Sequence, residues 1–170
     1  MTIAETMAVA VVIVACVWDV TTSRIPNVLT FTTIVLALAF HAIAPAGSGV
    51  SYAALGLLAG LAVFFPMFAL GAMGAGDVKL MAALGAWIGW KAILFVALYG
   101  SLAGGALGLV IGMRRRYLRK ALSNLKMLAT YWWVEGVKPL PALTLEAKDS
   151  QRLPYALAIA AGLAVAVWQR

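Results

Sequence analysis

The chain has 170 residues, 64% of them hydrophobic and 11% charged, with a mean hydropathy of +0.98 and a formal net charge of +7. Soluble chains are roughly 45–50% apolar, so a soluble fold of this length has too little interior for this composition, and lipid must solvate most of it. The charge does not point to nucleic acid: eight of the thirteen Lys and Arg fall between Arg114 and Lys148, clustered beside apolar runs as in a cytoplasmic loop, and no groove-reading motif accompanies them.

Taken in order, the first apolar run covers residues 3–18. Glu5 is the one charged side chain from Met1 to Met7, so the positive n-region of a signal peptide is missing and the run reads as a retained span. Arg24 follows it, which favours an N-terminus outside and Arg24 inside. Asp19 to Asn27 reads as a short polar link, with Pro26 biasing Ile25 away from helix. The second run, 28–44, ends at an uncharged turn, Pro45 to Gly49, suited to the outer face. The third, 51–70, carries Gly56 and Gly60 at a spacing that lets helices pack closely, and Pro66 is expected to kink it.

Between the third and fourth runs lies Gly71-Ala72-Met73-Gly74-Ala75-Gly76-Asp77-Val78-Lys79-Leu80, where glycines allow sharp turning and close approach. The apolar stretch beyond it is too long for one span of about 20 residues. Trp87-Ile88-Gly89-Trp90-Lys91 divides it into spans 78–90 and 92–112, the two tryptophans reading as interfacial. Gly100, Gly104, Gly108 and Gly112 form a small-residue stripe, read as a packing face. From Tyr117 to Val134, Leu118, Leu122, Leu125, Leu128 and Trp132 recur at helical spacing, with Arg119, Lys120 and Lys126 elsewhere on the wheel. This is the pattern of an amphipathic helix lying on the membrane surface. A last run, 153–168, is just long enough to cross. The expected fold is all-α: a polytopic membrane protein with about six transmembrane helices and one interfacial helix, forming a single domain over 1–170 with a basic cytoplasmic loop at 113–152.

Counting crossings puts Asp19 at the cytoplasmic end of the first span and Asp77 at the cytoplasmic junction of the third and fourth. Two carboxylates on one membrane face suit hydrolysis by a pair sharing one proton. The ionised member takes a proton from water, and the protonated member hydrogen-bonds the substrate carbonyl. This scheme calls for no cofactor, in keeping with a chain of one His and one Cys; the lone Cys16 also excludes an internal disulfide and paired-cysteine zinc sites. Other readings stay open. Asp77 before Val78 fits a helix N-cap, Asp77 has Lys79 as a local partner, and Asp19 has Arg24. Ionisable membrane residues also serve transport, so a small transporter or channel is the alternative, although the outer halves of the spans offer almost no ionisable residue apart from an interfacial His41. A purely structural subunit would explain the glycines but not both aspartates.

Gly74-Ala75-Gly76-Asp77, followed by Lys79-Leu80, resembles the Gly-x-Gly-Asp segment of type IV prepilin peptidases, a segment shared with presenilin-like intramembrane proteases. Asp19, followed by Arg24 and Ile25-Pro26-Asn27, resembles the other aspartate segment of the prepilin peptidases, and Leu153-Pro154-Tyr155-Ala156 their late segment. The resemblance implies cleavage of basic leaders from prepilins and pseudopilins at the cytoplasmic face of the bacterial inner membrane. It makes Asp19 and Asp77 the catalytic pair, with Gly74 and Gly76 letting the second aspartate reach the first; Lys79, Arg24, Pro26 and Asn27 are supporting motif residues. Bifunctional members carry a cytoplasmic insertion, often with paired cysteines, and methylate the new N-terminus. The link from Asp19 to Asn27 is short, so peptidase activity without methylation is expected, as in the compact CpaA/TadV-like enzymes of tight-adherence (Flp) pilus systems. The implied partners are prepilin leaders and membrane lipid, without nucleic acid.

Overall fold

A computed structural model describes residues 1–44, 46–114, 118–138, 140 and 155–169. Pro45, the Arg115–Arg116 pair, Tyr117, most of the expected polar loop and the Leu153-Pro154 pair lie outside the described residues. Among the described residues six helices follow one another: α1 (Ile3–Thr22), α2 (Asn27–Ile43), α3 (Val50–Ala69), α4 (Ala75–Arg114), α5 (Leu118–Glu135) and α6 (Tyr155–Trp168). Helices α1, α3 and α4 are long and apolar enough to cross a membrane, and α2 and α6 are shorter apolar helices. The chain is an all-α, polytopic membrane protein.

The centre of the bundle is the first part of α4. Almost every residue from Val78 to Gly89 is buried, as expected of a helix that is apolar all round. Helix α3 packs against it most closely, and glycines make this possible: a Cβ on Gly56 would run into the Gly85 backbone, and one on Gly60 into the backbone of Met81. The outward surface is apolar as well, with Ile13, Val17, Val35, Leu58 and Leu98 all exposed, as lipid-facing side chains are.

Two expectations need correction. Helix α1 does not stop before Asp19 but runs to Thr22. Its buried stripe is Glu5, Ala8, Val12, Ala15 and Asp19, so Asp19 belongs to the inward helix face rather than to a polar link. Thr21 and Thr22 extend the helix by turning their hydroxyls back onto carbonyls of Val17 and Trp18, and Ser23 ends it in the left-handed conformation. Secondly, the break expected over Trp87 to Lys91 is found at Gly89, with φ 80° and ψ 169°, but Trp87 beside it is buried rather than interfacial. The break frees carbonyls from their usual donors. Tyr52 donates its hydroxyl to the Ile88 carbonyl at 2.6 Å, and His41 Nε2 bonds the Trp87 carbonyl at 3.0 Å. Because His41 Nδ1 accepts the Ser48 N–H, the ring proton sits on Nε2. His41 and Trp87, both expected at an interface, are therefore buried in an aromatic cluster with Phe40 and Tyr52.

Helix α3 continues past Pro66 to Ala69 and then turns. The Gly71 N–H bonds the Phe68 carbonyl and the Ala72 N–H the Met67 carbonyl, with Gly71 at φ 72°. These paired bonds close a helix end around a left-handed glycine and aim the chain into α4.

Candidate active site

Asp77 lies in the first turn of α4, and not in the N-cap position that its place before Val78 suggested. Helix α4 begins at Ala75, so the cap falls on Gly74, whose carbonyl accepts the N–H of Asp77 at 3.2 Å and of Val78 at 3.5 Å. The Asp77 carboxylate reaches back to accept the Gly74 N–H. A Cβ on Gly74 would stand 3.2 Å from Asp77 Oδ2. The carboxylate thus lies where unpaired N–H groups and the helix dipole favour an anion.

Asp19 is buried, at 8% exposure. It sits in the last turn of α1, where the dipole of its own helix disfavours a carboxylate. Another helix offsets this. The backbone N–H of Ala156, in the first turn of α6, donates to Asp19 Oδ2 at 3.1 Å. Two aspartates from distant parts of the chain therefore each meet a helix N-terminus, that of α4 or that of α6. Their carboxylates lie within electrostatic reach of each other.

The supporting residues divide. Gly76 packs on Ile25, where an added Cβ would come 3.2 Å from the Ile25 Cβ; this contact presses the start of α4 against the α1–α2 link. Lys79 Nζ donates to Asn27 Oδ1 at 2.9 Å and lies 5.6 Å from the centre of the Phe31 ring. Lys79 thus ties α4 to α2, where a local pairing with Asp77 was one of the open readings. Pro26 is the N-cap residue of α2, and Arg24 is exposed. The structure brings Ile25, Asn27, Gly76 and Lys79 together beside the aspartates but leaves the Arg24 side chain outside this set of contacts.

Tyr155 and Ala156 were visible only as part of a family-like segment, with no role attached. A backbone N–H carries no residue-type signal, which is why the donor to Asp19 could not be read from sequence. The available hint was a helix starting just after Pro154, since such a start leaves free N–H groups.

These features define a multi-pass helical membrane protein with two acidic groups gathered where three helices meet. The model of the type IV leader peptidase family matches residues 6–109, and the chain belongs to that family. The matched stretch contains Asp19 and Asp77 and ends before α5 and α6. Among curated relatives, a prepilin leader peptidase/N-methyltransferase of Pectobacterium carotovorum subsp. carotovorum is 36% identical over 117 residues, covering 64% of this chain and 39% of the relative. A protein of the same name from Aeromonas hydrophila is 43% identical over 63 residues, 36% of this chain and 22% of its own. Another from Burkholderia pseudomallei (strain 1026b) is 54% identical over 44 residues, 26% and 14% respectively. The chain thus spans well under half the length of these curated relatives. No solved structure gives a significant match.

Proposed function

We propose that the chain is an aspartic endopeptidase that removes the basic leader peptide from type IV prepilins and pseudopilins, with Asp19 and Asp77 as its catalytic pair. The observation that supports this reading is that the two carboxylates lie within electrostatic reach of each other, each held at a helix N-terminus. In this scheme one aspartate is ionised and takes a proton from water, whose oxygen attacks the scissile carbonyl carbon. The other is protonated and hydrogen-bonds the carbonyl oxygen as charge develops there. The tetrahedral intermediate collapses when the aspartate that took the proton from water passes it to the amide nitrogen, breaking the C–N bond and releasing leader and mature N-terminus.

The short turn from α1 to α2 supports peptidase activity without N-methylation, because it leaves no room there for the insertion of bifunctional members. The same compactness favours Flp-type prepilins as substrates. The clustered positive charge supports a site on the cytoplasmic face of the bacterial inner membrane, with the N-terminus outside. Helix α5 fits the cytoplasmic leaflet: Leu122, Leu125 and Trp133 are exposed along it, with Arg119 and Lys126 on the flank.

Co-expression with an Flp-type prepilin tests the reading, with leader removal followed by gel shift. Asp19→Asn and Asp77→Asn should each reduce processing to background while the protein still accumulates in the membrane. Processing that survives either substitution would overturn the shared-proton pair.

A further inference from the structure

Tyr155 stands at the same junction as the two aspartates, and the chemistry above makes no use of it. It is the first residue of α6, and the N–H of the next residue is the donor on Asp19. Its ring meets Phe64 of α3 edge-on, with centroids 5.9 Å apart. On another side it lies against Gly104 of α4, where an added Cβ would come 2.7 Å from the ring and 3.3 Å from the hydroxyl oxygen. The hydroxyl is hydrogen-bonded to the Ser101 side chain, one turn earlier on α4, and lies within electrostatic reach of Asp77. Filling the groove over Gly104 requires only a ring, and phenylalanine would serve. The hydroxyl is the unexplained part. One bond to Ser101 does not exhaust its hydrogen-bonding capacity, because a phenol has one donor and two acceptor sites.

We propose that the Tyr155 hydroxyl is a third polar group of the catalytic centre, donating a hydrogen bond to the scissile carbonyl oxygen as negative charge develops on it. No covalent bond to Tyr155 forms, and its proton stays on the phenol. Ser101 is a positioning residue that sets the orientation of the phenol. The dipeptide Tyr155–Ala156 then serves both halves of the site, holding Asp19 with a backbone N–H and the substrate with a side chain. A donor fixed before the substrate arrives costs little reorganisation, and loss of one such donor typically lowers turnover about 10²- to 10³-fold. The inference rests on the peptidase reading and extends it to α6, which lies beyond the stretch matched by the family model.

The test uses the full chain reconstituted in liposomes and a synthetic peptide spanning an Flp-type prepilin leader and the residues that follow it. Tyr155→Phe keeps the ring contacts. It should lower kcat on the order of 10²-fold with KM and thermal stability unchanged, because the bond is made only in the transition state. Ser101→Ala should lower kcat in the same way but less. Wild-type turnover in Tyr155→Phe, or a loss that appears as raised KM, would overturn the proposal. If Tyr155→Phe itself loses stability, Ser101→Ala decides, since it leaves the ring in place; unchanged turnover there would count against the hydroxyl. Asp19→Asn in the same assay separates the two claims. An active Asp19→Asn defeats the shared-proton pair on which this inference rests, whereas an inactive one beside a fully active Tyr155→Phe defeats only this inference.

Discussion

A carboxylate is tolerated inside an apolar bundle when something positive faces it, and the source of that positive charge differs for the two aspartates. Asp77 uses its own helix, as an acid in the first turn of α4. Asp19 uses another helix, because its own one presents the wrong end of the dipole. Among the described residues no Lys or Arg side chain is bonded to either carboxylate, which leaves the pair able to interact with each other and with a substrate. Gly76 is the residue on which this closeness turns, since it lets the start of α4 lie against Ile25. Gly76→Val should push the two motif segments apart and lower prepilin processing about tenfold or more, given the sensitivity of catalysis to misplacement of about 1 Å. Combining it with Ile25→Ala should recover part of the loss, as read by initial rates of leader removal. An equal rate for Gly76→Val and wild type would show that the contact does not position Asp77.

At the scale of helices, the division of the chain into apolar segments was legible because each run has the length that a bilayer imposes. Which face of each helix points inward was not. In a soluble helix the buried face is the apolar one, but here lipid makes the outer face apolar too, and the contrast disappears. The stripe Glu5, Ala8, Val12, Ala15, Asp19 was present at helical spacing, yet it was masked by Val11, Ile13, Val14 and Val17 around it. The clamp at Gly89 was hidden for another reason: Tyr52 and His41 satisfy carbonyls that exist as free acceptors only once the helix breaks. Its removal is measurable. Tyr52→Phe should lower stability by about 1–3 kcal/mol by orphaning the buried Ile88 carbonyl. Gly89→Ala should cost about as much or more, from its positive φ and from overlap with the Tyr52 ring. Thermal unfolding in detergent checks both, and unchanged midpoints would mean that the clamp contributes nothing.

Over the whole molecule, the buried centre and the basic surface are kept apart. Helix α5 begins four residues after the last residue of α4 and makes few contacts with the bundle, leaving Leu125 66% and Trp133 91% exposed. A reporter inserted after Met113 should be cytoplasmic, the face on which the proposed topology sets Asp19 and Asp77. With Cys16 replaced by Ser, fluorophores attached to Leu125→Cys and Thr130→Cys should differ. The former should be quenched by brominated lipid and the latter by aqueous quenchers. Equal quenching of the two would rule out a helix resting on the leaflet by its Leu face.

The hydrogen bond from Ala156 to Asp19 spans 137 residues of sequence. Both aspartates emerge from the ribosome long before α6 does, so a growing chain holds its acidic pair without the clamp on Asp19. If the pair is catalytic, it should therefore remain silent during synthesis and become active only when α6 inserts. A chain cut after Lys138 should be inactive though it contains Asp19 and Asp77, and co-expression of the separate α6 segment should restore leader removal. Activity in the cut chain alone would show that Asp19 needs no partner from α6.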